Sequence, residues 1–398
     1  MTTIWLVNQY ALPAEGSGGT RHHALASAWS EAGHSTVIWA APHSYATGDS
    51  RNLDGAQVAG RGVVFHWVPT SPHIGNGVQR ILGMVGFAVR VAARGMRRVS
   101  DTPQVVIGSS PNLFAALAAY AMARRQGALF ILEVRDIWPS SVIELMGVKG
   151  WHPFVLLLSS MERFLYRRAD QIVGLMDGLE SHVESVIGPS HPPVAWIPNG
   201  VDLRRFAIVA ASAADTDQPF TLVYAGAHGV PNSLDTAIEA MRELSGEPIQ
   251  LHLYGSGVSK EYLQRQAADL PAVVFHDAVP KTEIPHILHA ASALLICWRD
   301  SPLYSRGVSA NKLFDYLASG RPIAQSYSGA NDIVEASGAG VTVPAEDPRS
   351  LARAILRLSR MPSPELDDMG ERGKSWVRDH RSIDVLAERF RSLFSSSV

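Results

Sequence analysis

The sequence predicts an α/β protein built from two doubly wound, Rossmann-like domains, and three observations carry that reading. Short apolar runs alternate with amphipathic segments along nearly the whole chain, as in parallel strands joined by crossover helices. At 398 residues the chain is too long for one ordinary domain. The alternation also stops at residues 207–219, a small and polar stretch, and then begins again. The expected boundaries are therefore 1–200 and 201–375, with a final segment 376–398 whose residues 376–394 read as one amphipathic helix.

In the first half, residues 4–7 read as a buried strand, 8–20 as a polar, glycine-bearing loop, 21–32 as a helix and 35–39 as a second strand. Gly16, Gly18 and Gly19 in that loop would let backbone N–H groups come close to an anion, although a flexible turn has the same composition. The spacing is not that of a dinucleotide fingerprint. His22 and His23 read as helix-surface residues. Further strands are expected at 63–67, 105–107, 129–133 and 171–174, and a helix at 151–168. The strand ending at Glu133 runs into Arg135, Asp136 and Trp138, a charged cluster where open α/β sheets place their active sites. A buried salt bridge under a turn would leave the same trace.

Residues 55–100 contain no acid but six arginines. A helix over 78–99 gathers Arg80, Arg90, Arg94, Arg97 and Arg98 on one arc, with Val78, Leu82, Val85, Val89 and Met96 opposite. Such a helix suits an anionic membrane surface. The other reading packs its apolar side on the domain's own sheet.

The second half repeats the cycle with strands at 221–226, 249–254, 273–275 and 293–298. After the last of these comes GVSANKLFDYLASGRP, residues 307–322. Ser309 and Asn311 are good caps, and Gly320 with Pro322 ends the helix. Free N–H groups at its start, with Lys312 in the first turn, fit the phosphates of a nucleotide diphosphate. Asp315, one turn deeper on the same face, fits the two ribose hydroxyls. An ordinary αβ unit with a solvated polar face is the alternative.

Composition narrows the class. With 46% hydrophobic and 18% charged residues and a net charge of -2, the chain is globular and suggests no nucleic-acid partner. One cysteine, Cys297, excludes a disulfide framework and fits a reducing cytoplasm. The N-terminus shows no signal peptide, and no apolar run reaches the length of a membrane span. The D-x-D of Asp215 and Asp217 lies in the linker, so no metal ligand is assigned.

QYALPAEGSGGTRHH, EVRDIWP, ERFLYRRADQIV, IPNGVD and GVSANKLFDYLASGRPI together resemble family 4 of the retaining glycosyltransferases, which have the GT-B fold. Within that family the chain is similar to the bacterial surface-polysaccharide branch, including fucosamine transferases. The resemblance implies an interdomain cleft, a hinge at IPNGVD and a last helix crossing back onto the first domain. It places Gly16, Gly18 and Gly19 at the donor diphosphate, Tyr254, Gly255 and Gly257 beside the nucleotide, and Val279 at the base. Ser309, Asn311 and Lys312 would hold phosphates and Asp315 the ribose, while Glu133, Arg135 and Asp136 would serve the acceptor.

Two departures stand out. Gly307 and Asp315 occupy the positions of the family's two glutamates, and His228 and Asn232 stand in the loop where many members carry a basic pair. The implied reaction is retaining transfer of a sugar from a nucleotide diphosphate, UDP being expected, to a growing glycan or polyprenyl-diphosphate-linked acceptor. It would run at the inner face of the membrane without metal or cofactor. A sugar-nucleotide epimerase and a non-catalytic subunit of the same architecture are the alternatives.

Overall fold

The computed structural model describes the chain apart from residues 14–19, 43–52, 71–77, 98–101, 111, 140–142, 144–148, 208–218, 302–309 and 396–398. Gly16, Gly18, Gly19, Arg98, Asp215, Asp217, Gly307 and Ser309 thus lie outside the described residues. The chain forms two compact units, residues 1–198 with 386–398, and residues 199–385.

The first unit runs β1 (Thr3–Val7), α1 (Arg21–Glu31), β2 (Ser35–Ala40), β3 (Gly55–Val58), β4 (Val64–Trp67) and α2 (Val78–Gly95). It continues with β5 (Val105–Ser109), α3 (Leu113–Gln126), β6 (Leu129–Val134), α4 (Pro153–Arg168), β7 (Gln171–Gly174), α5 (Leu179–Ile187) and β8 (Val194–Trp196). The described strands form one sheet in the order β3-β4-β2-β1-β5-β6-β7-β8. All pairs are parallel except β3 with β4. That edge strand was not legible, because GAQV offers no apolar alternation and is largely exposed.

Strand alternation sorts the core onto two faces. Val7, Val106 and Leu132 meet Phe87 and Val91 of α2, Met122 of α3 and Leu165 of α4. Ile4, Leu6, Ile107 and Ile131 meet Leu25 and Trp29 of α1 together with Leu386 and Phe390. Trp29 also donates from Nε1 to the Ala387 carbonyl at 3.0 Å, which fixes the last helix on this face.

The second unit runs β9 (Phe220–Ala225), α6 (Leu234–Glu243), β10 (Ile249–Tyr254), α7 (Lys260–Gln266), β11 (Val273–His276), α8 (Ile284–Ala290), β12 (Ala293–Cys297) and α9 (Asn311–Ser319). Then come β13 (Ile323–Ser326), α10 (Ile333–Ser337), β14 (Gly340–Val343), α11 (Pro348–Ser359) and α12 (Ser363–Arg381). The chain ends with α13 (Ile383–Arg391), which starts in this unit and finishes in the first. The strands form a parallel sheet in the order β11-β10-β9-β12-β13-β14. Leu222, Leu251 and Leu295 pack under Ile238 and Leu351 on one face. Val223, Leu294 and Ile296 pack under Leu313, Phe314 and Leu317 of α9 on the other.

Two expectations are corrected. The final helix is not one segment over 376–394, because Ser382 is extended between α12 and α13. Its neighbours are held open by backbone bonds from Val201 N to Arg381 O at 3.0 Å and from Ile383 N to Val201 O at 2.9 Å. In α2, the side turned inward is not the one opposite the arginines. Met84, Phe87, Ala88 and Val91, at i, i+3, i+4 and i+7, face the core, whereas Leu82, Val89 and Met96 are exposed. Arg94 is held by Asp54 at 2.6 Å, which removes it from a free arc. Among the described residues no helix is long and apolar enough to cross a membrane.

Candidate functional site

The carboxyl ends of the two sheets carry the polar clusters, and each is built within its own unit. In the first, Glu133 at the end of β6 is completely buried. Arg21 Nε donates to Oε1 at 3.1 Å, while Ser109 Oγ at 2.7 Å and His22 Nε2 at 2.6 Å meet Oε2. Asn8 Oδ1 accepts from Tyr10 N, so its amide nitrogen must donate to His22 Nδ1 at 2.8 Å. That leaves Nε2 as the protonated nitrogen of a neutral ring, and burial likewise lowers the His22 pKa. Burial works against the charge on Glu133, but its donors and the Arg21 guanidinium hold its pKa well below the usual carboxylate range. Arg21 also donates to the carbonyls of Ile197 and Pro198, the last residues of this unit before the chain leaves it.

Glu133 was expected to meet an acceptor. That is corrected: both of its oxygens are filled and it has no open surface. His22 and His23 are corrected too, being buried rather than on the surface. Asp136, three residues beyond Glu133, is the carboxylate that stays exposed. The protein packed around it raises its pKa, with Arg135 and Arg80 opposing. Ser110 Oγ accepts from Arg135 N at 3.0 Å and so shapes this turn. Asn112 caps α3 by accepting from Ala115 N at 3.1 Å, and its amide reaches Gln9 Oε1 at 2.6 Å.

In the second unit α9 follows Ala310, whose side chain offers no cap, and Asn311 is its first helical residue rather than the cap expected. Leu313 N is taken by Ala310 O at 3.1 Å, so among the described residues the N–H groups of Asn311 and Lys312 and the positive end of the dipole are left for another acceptor. Lys312 turns from this start toward the end of β9. Its ammonium donates to Tyr224 OH at 3.1 Å and to Asn232 Oδ1, and lies 4.7 Å and 5.1 Å from the ring centres of Tyr224 and Trp298. Burial among these rings pushes its pKa down to about 8. Asp315 instead reaches Arg205, whose Nη1 donates at 3.2 Å, while Nη2 holds the Lys281 carbonyl at 2.8 Å. Burial raises the Asp315 pKa, and Arg205 and Lys281 pull it back. Asn311 is exposed at the helix tip.

Around this helix start the strand-end loops come close. A Cβ on Gly255 would sit 1.9 Å from Gly226 O, and one on Gly257 2.4 Å from His228 O. Both glycines also have positive φ, so side chains are excluded there twice over. Tyr254 stacks on His276 at 4.1 Å, and Lys260 ties the two strand ends through Gly255 O and His276 O. Val279 is half-buried just beyond. His228 is buried, and burial, with Lys260 and Lys312 nearby, lowers its pKa to about 4, so it brings no positive charge here at neutral pH. Sequence reasoning missed Arg205 and Lys281 at Asp315, and Arg21, His22 and Ser109 at Glu133. The one legible signal was their position, next to strand-end loops.

Two family models match the chain, a glycosyl transferase 4-like domain over residues 16–200 and glycosyl transferases group 1 over 219–361. The glycosyltransferase WbjE of Pseudomonas aeruginosa is 22% identical over 343 residues, 81% of this chain and 82% of that protein. WcaL of Escherichia coli, named for colanic acid biosynthesis, is 24% identical over 246 residues, and the chain spans only 58% of its length. Among solved structures, a sucrose-phosphate synthase of Thermosynechococcus elongatus superposes with a TM-score of 0.74 at 15% identity, covering all of both chains. Anabaena Alr3699/HepE, solved with UDP and glucose, gives 0.68 at 10% identity, again over both full chains. Likeness at that identity shows the fold, GT-B. With both halves of the chain matched by these models, the protein belongs to the group 1, 4-like family of GT-B glycosyltransferases.

Proposed function

We propose that the protein moves a sugar, with retention of anomeric configuration, from a UDP-sugar to a growing glycan or polyprenyl-diphosphate-linked acceptor of a bacterial surface polysaccharide. A fucosamine-transferase-like role is the finer form of this reading. The observation that carries it is the start of α9, where Ala310 provides no capping side chain, Lys312 stands in the first turn and the Asp315 carboxylate lies one turn deeper. The helix tip and Lys312 accept the diphosphate, and Asp315, held by Arg205, accepts from the ribose. The UDP bound to the Anabaena neighbour and the colanic acid biosynthesis in the name of WcaL support donor and setting.

Chemically, the reaction asks most for stabilisation of the departing diphosphate, which a fixed cation and helix dipole provide without reorganisation. Lys312 fills that role in this proposal, with no metal or cofactor assigned. A front-face displacement then lets the leaving phosphate take the acceptor's proton. Asp136, the open carboxylate at the end of β6, with Arg135, orients the acceptor. The enzyme works in the cytoplasm, peripheral to the inner leaflet.

Thermal unfolding with UDP, GDP and ADP tests the donor assignment. UDP should stabilise the protein by about 2.7 kcal/mol at a hundredfold excess over its dissociation constant. If all three leave the melting temperature unchanged at millimolar concentration, the start of α9 is not a nucleotide site.

A further inference from the structure

In the first unit α3 lies between α2 and α4 on one face of the sheet. A helix on a soluble domain turns its apolar stripe inward and leaves its outer side polar. These helices carry large apolar residues on both sides. Leu82 and Val89 of α2 are 66% and 62% exposed, Leu156 and Leu157 of α4 are 57% and 49%, and Met96 and Phe164 are also open. Leu82, Val89 and Met96 recur every seven residues, as do Leu157 and Phe164, so each set forms one outward stripe. Phe114, Leu117 and Tyr120 of α3, partly buried, fill the space between them. Trp151, just before α4, is 71% exposed with the Lys149 ammonium 5.8 Å from its ring.

Among the described residues the exposed charges on α2, α3 and α4 themselves are all positive, and the acids that meet these helices are Asp54 on Arg94 and Asp170 on Arg124. Helices α2 and α3 contain no acid, and Glu162 of α4 is buried against Tyr166 OH and His182. The exposed charges are Arg90 and Arg97 on and just past α2, Arg124 and Arg125 on α3, and Arg163, Arg167 and Arg168 on α4. Of the seven, Arg124 has an acidic partner, Asp170 at 3.2 Å. Arg124 lies over Tyr120, Tyr120 meets Phe164 edge-on at 5.3 Å, and Arg168 lies over Phe164, so cations and rings form one row across α3 and α4. Arginines in a last turn are accounted for by the helix dipole. Arg90 and Arg163, in mid-helix, are not, and neither are the exposed apolar stripes.

We propose that this outer surface of α2, α3 and α4 seats the protein on an anionic phospholipid bilayer. The inference rests on the membrane-side acceptor of the reading above and gives it a surface. Apolar stripes of this size with arginines among them enter the headgroup region of such a bilayer, while a negative surface attracts the cations. A second copy fits poorly, because pairing two such faces sets arginine against arginine, and among the described residues the acids that meet these helices, Asp54 and Asp170, are already taken by Arg94 and Arg124. The helices start at the carboxyl ends of β4, β5 and β6, so Leu82, Phe114 and Leu156 lie toward the sheet edge that carries Ser110, Asn112 and Asp136. A lipid-linked acceptor in the same leaflet would be presented at that edge.

The test is cosedimentation with vesicles of phosphatidylglycerol and phosphatidylcholine, and with phosphatidylcholine alone, at low and high salt. The wild type should sediment with the anionic vesicles only, and high salt should release it. Combined Leu82→Ser, Leu156→Ser and Phe164→Ser should abolish sedimentation, and each of Arg90→Ser, Arg163→Ser and Arg167→Ser should weaken it about fivefold. UDP should stabilise all of these variants as it does the wild type. A wild type that ignores anionic vesicles at low salt overturns the proposal, as does an apolar triple variant that sediments unchanged. So does sedimentation velocity showing a dimer that the triple variant dissociates. A wild type stabilised by UDP but absent from the vesicle pellet refutes the surface alone. One that pellets but ignores UDP refutes the donor reading alone.

Discussion

At the scale of single residues, Lys312 is the group whose chemistry can be read most directly. Its pKa is lowered from 10.5 to about 8 by burial, and no carboxylate pairs with it among the described residues. Between those two values the unfolded chain holds more protons than the folded one, so stability should rise with pH through that window. A diphosphate needs the charged form, so UDP affinity should fall over the same window. Calorimetric titration of UDP from pH 7 to above pH 9, with urea melts at each pH, reads both trends. Lys312→Met should remove both slopes and cost about 1.5–3 kcal/mol of UDP binding. A wild-type affinity that stays flat to the ordinary lysine range would show that Lys312 does not meet the phosphate.

Residue-level reasoning from sequence was uneven for a definite reason. Asp315 and Lys312 were legible because helix start, charge and carboxylate fall within five residues on one short helix. The partners of Asp315 and Glu133 were not, since Arg205 is 110 positions from Asp315 and His22 is 111 from Glu133. Only the parallel register of β1, β5 and β6 brings the start of α1 over Glu133. Side chains that seemed fit for the surface are thereby sealed under strand ends.

At the scale of elements, α2 shows where periodicity misleads. Its sequence is apolar on more than one side, and arginine positions alone do not say which side meets the sheet. The stripe of Met84, Phe87, Ala88 and Val91 wins because all four are buried and Phe87, Ala88 and Val91 share one core cluster with Trp39 and Val68, whereas Val89 is exposed. Phe87→Ala should therefore cost about 3–5 kcal/mol of unfolding free energy, and Val89→Ala should stay within about 0.5 kcal/mol. Equal losses in denaturant melts would mean that the helix is rotated from the orientation described. The strands were easier to read, since fully apolar runs bounded by turns allow little else in a parallel sheet.

At the scale of the whole molecule, two largely parallel sheets were readable from the repeat of the β-loop-α cycle and the family resemblance. The break at Ser382 was not, because it depends on backbone pairing with Val201 across the length of the second unit. The central claim is that the start of α9 holds a nucleotide diphosphate, with Asp315 on its ribose. Isothermal titration of UDP into the wild type and Asp315→Asn tests it most directly. One-site binding that weakens by about 1.5–3 kcal/mol in the variant is the expected result. Equal affinity in the two proteins, or no heat in either, would contradict it.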